Sequence, residues 1–203
     1  MEQLYLRINA ALSRIAQVAV WIGGASLLAC AILVTIDVIT RKLLNWTFSG
    51  SDEISGYAFA ASTTWAYSYC LLHRANIRID AVYNLLPGVV KAMLDLFGLL
   101  LLLFFMWLLT ERGIDVLLET LDNESVSNTT LQTPLWLPQS LWLAGLILFC
   151  ITLIFVSLFS LLFLLRGNLA MVRRISGALS IEEEIGEETH GLASDRGNRS
   201  GEA

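Results

Sequence analysis

The sequence predicts an all-α membrane protein: four transmembrane helices with an amphipathic connector on the cytoplasmic side. Three observations predict it. Of 203 residues, 56% are hydrophobic and only 15% charged, against about 25% charged in an average soluble domain, and the mean hydropathy is +0.65. Long uncharged windows recur along the chain. Basic residues crowd onto alternate connections, as they do when loops alternate across a bilayer.

The charges are unevenly placed. Residues 1–174 carry eleven basic and eleven acidic side chains, so the net charge of −5 resides in the remaining residues. That division sets two expected parts, a membrane domain over 1–174 and an acidic cytoplasmic tail over 175–203. The tail, with Glu182, Glu183, Glu184, Glu187 and Glu188 followed by Gly, Ser, Asn and Arg, has the composition of a disordered end. No basic surface is present for nucleic acid. Cys30, Cys70 and Cys150 each sit in or at the end of an apolar run; they read as packing residues and suggest neither a disulfide framework nor a thiolate metal site.

The first span is expected over residues 15–36, which at about 1.5 Å per residue gives roughly 33 Å, enough for a ~30 Å hydrocarbon core. The tetrapeptide Leu27-Leu28-Ala29-Cys30 resembles a lipoprotein cleavage box. The apolar run continues past it to Ile36, beyond the ~7–15 residues of a signal core, so the segment is expected to stay. The second span, 54–72, lies between Glu53 and the pair His73-Arg74. The third, 89–110, requires Lys91 and Asp95, four residues apart on one face, to sit near headgroups. Pro134, Pro138 and the polar stretch 125–133 confine the fourth to 141–165.

Orientation follows from the basic residues. Arg7, Arg14, Arg74, Arg78, Lys91, Arg166, Arg173 and Arg174 fall on one side, and Arg41, Lys42 and Arg112 on the other. The positive-inside rule then places both termini in the cytoplasm.

Chemistry inside the spans is not expected. A lone charge at mid-bilayer costs about 2.5–3.5 kcal/mol and is kept only for function, yet the charged residues here fall at or near span ends. Haem between helices requires histidines within the spans, and the two histidines are His73 at a boundary and His190 in the tail. No GxSxG, HExxH, P-loop or CxxC motif occurs, nor do the broken helices and repeated halves common in transporters. The expectation is a non-enzyme with no catalytic residue, cofactor or bound metal, and not a chain that moves a solute alone.

The spans offer packing surface instead. Gly56, Ala60, Thr64 and Ser68 recur every four residues in the second span, as do Ala58, Ser62 and Ala66. Small stripes let helix backbones approach closely in lipid, and they serve either the chain's own bundle or a partner. The third span presents Phe104, Phe105, Met106 and Trp107, a bulky surface suited to lipid or to a large apolar partner.

The rims are more informative. Asp37 and Arg41 are four apart and can pair if the first helix continues. Trp46 and Phe48 suit a membrane interface. Ser49 and Asp52 are spaced as in a capping box, and Glu53 falls near the positive end of a helix dipole. On the cytoplasmic side, Arg74-Ala75-Asn76-Ile77-Arg78-Ile79-Asp80 alternates polar and apolar residues and reads as a surface-lying connector with Asp80 as N-cap. After the third span, Glu111, Asp115, Glu119 and Asp122 gather on one helical face while Ile114, Leu117 and Leu121 gather on another. This acidic ridge is either a solvated helix end or a docking face.

These residues, in this order, resemble a known family. Asp37-x-x-x-Arg41, Asp52-Glu53 opening a helix, Asn76-Ile77-Arg78-Ile79-Asp80, Leu86-Pro87, and Leu131-Gln132-Thr133-Pro134-Leu135-Trp136-Leu137-Pro138 before the last span are similar to the small membrane subunit (DctQ-like) of tripartite ATP-independent periplasmic (TRAP) transporters. The resemblance covers roughly residues 15–165. One departure is Asn76, where the family commonly has His; Asn keeps hydrogen-bonding capacity but cannot titrate. The resemblance implies an accessory subunit in the bacterial inner membrane that does not itself carry solute. Its partners would be membrane lipid, a large permease subunit working by ion-coupled, elevator-like motion, and a periplasmic solute-binding protein. Candidate partner-interface residues are Asp37, Arg41, Asp52, Glu53, Gly56, Ala60, Thr64, Arg74, Asn76, Arg78, Asp80, Asp115, Glu119 and Asp122. The competing expectation is a membrane anchor for a redox complex whose cofactors lie in other chains. A third, a self-sufficient small carrier, requires transport by the chain alone.

Overall fold

The computed structural model describes residues 2–74 and 87–176. Among them it contains four long helices and a short fifth: α1 (Glu2–Leu44), α2 (Ser51–Leu72), α3 (Gly88–Asp122), α4 (Trp136–Leu165) and α5 (Leu169–Ser176). No strand occurs among the described residues; one isolated antiparallel bridge joins Val126 to Pro134.

By length and composition α1, α3 and α4 are apolar enough to cross a membrane, and α2 is not among them. The reason lies in its hydroxyl residues, which lower its hydropathy. Ser62, Thr63 and Thr64 donate to the carbonyls of Ala58 (2.6 Å), Phe59 (2.7 Å) and Ala60 (3.2 Å) of the preceding turn. A hydroxyl bonded back to its own helix sheds most of the cost of an apolar surrounding, so hydropathy overstates how polar α2 is.

The helices are arranged as a row. α1 packs on α2, α2 on α4, and α4 on α3, with α5 tucked against α3 and α4. α4 has neighbours on both flanks and supplies most of the core, including Leu146, Leu153, Val156, Phe159 and Phe163. The outer faces of the row are apolar and open: Trp21 is 74% exposed on α1, and Phe104 is 63% exposed on α3. Contiguous exposure of such side chains is untenable in water and ordinary against hydrocarbon.

α1 has 43 residues, about 65 Å of helix, far longer than α2 beside it. Its first turns run past the end of α2 and reach α4. There Tyr5 stacks on Phe155 with ring centroids 5.4 Å apart and an interplanar angle of 4°, and meets Phe163 edge-on at 6.4 Å. Ile8 and Leu12 join the same cluster. The residues preceding the first expected span are therefore helical and packed.

α5 closes that end. Val172 and Ile175 are buried in one cluster with Ala92 of α3, while Arg166 and Arg174 are exposed. The expected boundary at 174 falls inside this helix. Asp95, near the start of α3, is buried at 5% exposure. The connector expected on the cytoplasmic side, apart from Arg74, and residues 177–203 of the expected tail lie outside the described residues.

Candidate partner interface at the α1–α2 turn

α1 ends, α2 begins, α3 ends and α4 begins at one end of the row, and a buried carboxylate organises that end. Asp37, 2% exposed, accepts the Phe48 amide hydrogen at 2.6 Å and the Ser51 hydroxyl at 3.2 Å. It also pairs with Arg41 one turn on, whose side chain stays half exposed. A buried carboxylate is tolerated only when its lone pairs are filled by donors of this kind. The three donors come from α1, the connector and α2, so one side chain fixes where the chain turns.

The connector itself turns through left-handed residues, Asn45 at φ 50° and Gly50 at φ 105°. At Gly50 glycine is required twice over: an L side chain is strained at that φ, and a Cβ would collide with the Leu131 side chain. The expected capping box is not formed. The N-cap of α2 is Gly50 without a side-chain bond, so Ser49 lies outside the helix, and Ile54 N–H bonds to the Gly50 carbonyl at 3.0 Å.

A second carboxylate ties the α3–α4 loop to α2. Glu53 accepts the Tyr57 hydroxyl at 2.7 Å and, 76 positions away in sequence, the hydroxyl of Thr129. These bonds, Thr129 first, hold the Glu53 carboxyl below the usual glutamate range. The loop is pre-shaped: Ser127 N–H bonds to the Thr133 carbonyl at 2.9 Å and Leu135 N–H to the Ser125 carbonyl at 3.1 Å. Trp136 and Leu137 follow, both 44% exposed.

Below the rim, the small stripes meet neighbouring helices of the same chain. Thr64 and Ser68 are buried, and a Cβ on Gly145 of α4 would stand 2.8 Å from both Thr64 Cβ and Trp65 Cδ1. The Trp65 indole donates to the Leu141 carbonyl at 2.8 Å. On the other flank, Ser62 donates to the Gly23 carbonyl at 3.2 Å and lies 3.3 Å from the Ser26 hydroxyl. Gly56 is exposed with open space where a Cβ would go, and Ala60 is half-buried.

The expected site residues thus divide. Asp37, Arg41, Asp52 and Glu53 gather at the turn, with Asp52 exposed. Asp115, Glu119 and Asp122 are exposed on the last turns of α3. Asp115 pairs with Arg112 at 3.3 Å, both more than half exposed, a geometry worth little. Arg74 is at the opposite end, half-buried, at φ 52°. Asn76, Arg78 and Asp80 lie outside the described residues. Sequence reasoning missed Ser51, Thr129 and Gly145. Of these only Gly145 carried a signal, as the single glycine in the bulky run 141–165.

Among the described residues no group of three His, Cys, Asp or Glu side chains is placed to hold a metal. Cys150 is buried 3.3 Å from the Thr110 hydroxyl. What the arrangement presents is surface: an ordered polar rim at one end, and apolar flanks.

No curated protein and no solved structure matches the chain. A family model does, that of the tripartite ATP-independent periplasmic transporters, DctQ component, over residues 30–164. The match runs from mid-α1 to the end of α4 and so includes the Asp37 turn, the Glu53 strap and the α2–α4 contact. The chain belongs to the DctQ family, the small membrane component of TRAP transporters.

Proposed function

We propose that this chain is the scaffold subunit of an ion-coupled TRAP importer of a small organic solute, in the bacterial inner membrane, with α2 as a fourth crossing and both termini in the cytoplasm. It packs on the large permease subunit and contributes to docking the periplasmic binding protein, without catalysing a reaction. The observation that carries this reading is the division of the molecule into apolar open flanks and one stapled polar rim. The flanks suit lipid and a membrane partner. The rim, with Asp37 and Glu53 holding two loops in place and the α3 acidic residues exposed beside them, suits a soluble partner. The basic residues at the other end favour its cytoplasmic placement.

The test is a mild-detergent pull-down from native membranes through a tag on the C-terminal tail, with partners identified by mass spectrometry. A large multi-span permease in stoichiometric amount is the expected result. Recovery of redox subunits supports the anchor reading instead, and recovery of neither overturns the transporter assignment.

A further inference from the structure

We propose that the bilayer meets the row of helices obliquely: the apolar belt runs diagonally from α1 to α3, and the helices lean by roughly 30–45°, well above the average for membrane helices. The lipid-contacting surface is thus displaced along the helix axes from one flank of the row to the other. Two sets of residues carry this, the contacts that set neighbouring helices in register and the charges that bound each apolar stretch.

The register is fixed at several points. Ser62 of α2 donates to the Gly23 carbonyl of α1, and Ser51 to Asp37. Thr64 of α2 stands against Gly145 of α4, and Tyr67 against Phe149. Thr110 of α3 lies beside Cys150, and Gly113 beside Leu143. Counting along the helices from these contacts places each residue level with one of α4. Tyr5 checks the count: it falls level with about residue 160, and it packs on Phe155, Phe159 and Phe163.

The bordering charges do not share a level. At the rim, the first charged side chains beyond the apolar stretches are Asp37 on α1, Glu53 on α2 and Glu111 on α3. In units of α4, Asp37 and Glu53 fall about 2–7 residues before its start, and Glu111 about 11 residues inside it. At the other end Arg14 and Arg74 fall level with about residues 152–155, while Asp95 and Lys91 fall at about residues 163–167, level with Arg166 on α4 itself. Both borders move the same way from α1 to α3, by about 11–18 residues or roughly 16–27 Å. Three helix-to-helix steps of about 8–10 Å separate those flanks, which gives a slope of roughly 30–45°.

An upright row leaves Arg14, which is exposed, halfway along α4 and so near mid-bilayer, where a charged side chain is expensive. Leaning brings Arg14 and Arg74 to one headgroup layer, and Asp37, Glu53 and Glu111 to the other. It also gives the length of α1 a use, since its first turns then stand in the cytoplasm, and it carries Asp115, Glu119 and Asp122 clear of the bilayer. The proposal rests on the membrane-crossing part of the reading above and not on the transporter partners.

Ile15 of α1 and Leu108 of α3 decide it, because both are exposed and both fall level with about residue 151 of α4. In a leaning row they lie at opposite borders of the bilayer; in an upright row both lie near its middle. The test places nitroxide labels at Ile15→Cys, Leu28→Cys, Leu101→Cys and Leu108→Cys, one at a time, in the full chain with Cys30, Cys70 and Cys150 replaced by alanine. In vesicles of phosphatidylglycerol and phosphatidylethanolamine, the ratio of oxygen to nickel-chelate accessibility then reads depth. Positions 28 and 101 are expected to be deep and 15 and 108 shallow, with a several-fold lower ratio. Deep readings at 15 and 108 overturn the oblique setting and leave the crossing intact, whereas water exposure at all four positions overturns both. In case the cysteine-free chain fails to fold, polarised infrared spectroscopy of the wild type in aligned bilayers gives a second measurement. A mean helix tilt of about 30° or more is expected, and a smaller one overturns the proposal.

Discussion

Gly145 of α4 stands directly against Thr64 of α2, so close that a Cβ at 145 would overlap the Thr64 hydroxyl and lie 2.8 Å from Thr64 Cβ. Two helices far apart in sequence meet here backbone to side chain, at the middle of the row.

Gly145→Ala is therefore expected to destabilise the fold by about 1–3 kcal/mol, the usual cost of overpacking. Thermal unfolding in detergent measures it. Adding Thr64→Ala recovers only part of the loss, since the Cβ at 64 remains in the way. Gly56→Ala, with open space around it, is expected not to lower the unfolding temperature of the isolated chain and to raise it slightly, since alanine favours the helix over glycine by roughly 0.5–1 kcal/mol.

Asp37→Ala leaves the Phe48 amide and the Ser51 hydroxyl without their acceptor. The connector over 45–50 is expected to loosen, and chymotryptic cleavage at Trp46 or Phe48 to become roughly tenfold faster. Asp37→Asn keeps one acceptor oxygen but loses the charge that holds Arg41, and its cleavage rate falls between the two. Equal rates in all three forms remove Asp37 from its organising role.

The Glu53 strap carries a pH dependence. Because the folded carboxyl is held below the ordinary value by the Thr129 and Tyr57 hydroxyls, the strap stabilises fully above the unfolded glutamate pKa of about 4.3. That stabilisation is lost as pH falls through the lower folded value. Unfolding temperatures of wild type and Glu53→Gln are expected to differ by a constant amount between pH 5 and 7 and to converge as pH falls through the lowered folded value.

A triple charge reversal of Asp115, Glu119 and Asp122 tests the acidic face. All three are exposed, so stability and membrane insertion are expected to be unaffected. The binding-protein concentration giving half-maximal uptake is expected to rise by roughly tenfold, as for a charged rim that steers a partner. Unchanged uptake and unchanged dependence on the binding protein reduce the ridge to a solvated helix end.

Much of the rim was legible in sequence, but not its wiring. The four-residue spacing of Asp37 and Arg41 correctly indicates a pair on one helix, since helical spacing is a local property. That the same carboxylate also takes Phe48 and Ser51 depends on a turn whose path no periodicity encodes. Ser49 and Asp52 have capping-box spacing, yet the cap is Gly50, because Leu131 and the Asp37 bonds set where α2 begins. The stripe Gly56, Ala60, Thr64 and Ser68 is visible as small residues. Its division into a buried half against α4 and an open half is not.

By itself the sequence determined the all-helical membrane class and the DctQ family; of the four spans it led us to expect, three lie in helices long and apolar enough to cross. Hydropathy and local motifs act within a single helix or turn, so they can be read along the chain. Only the tertiary structure decided that α4 is the central helix, that the first turns of α1 reach it through Tyr5, and that Thr129 bonds Glu53. Those contacts depend on how helix lengths and close approaches combine in three dimensions. A lone Gly145 or Thr129 carries no mark of the partner it meets.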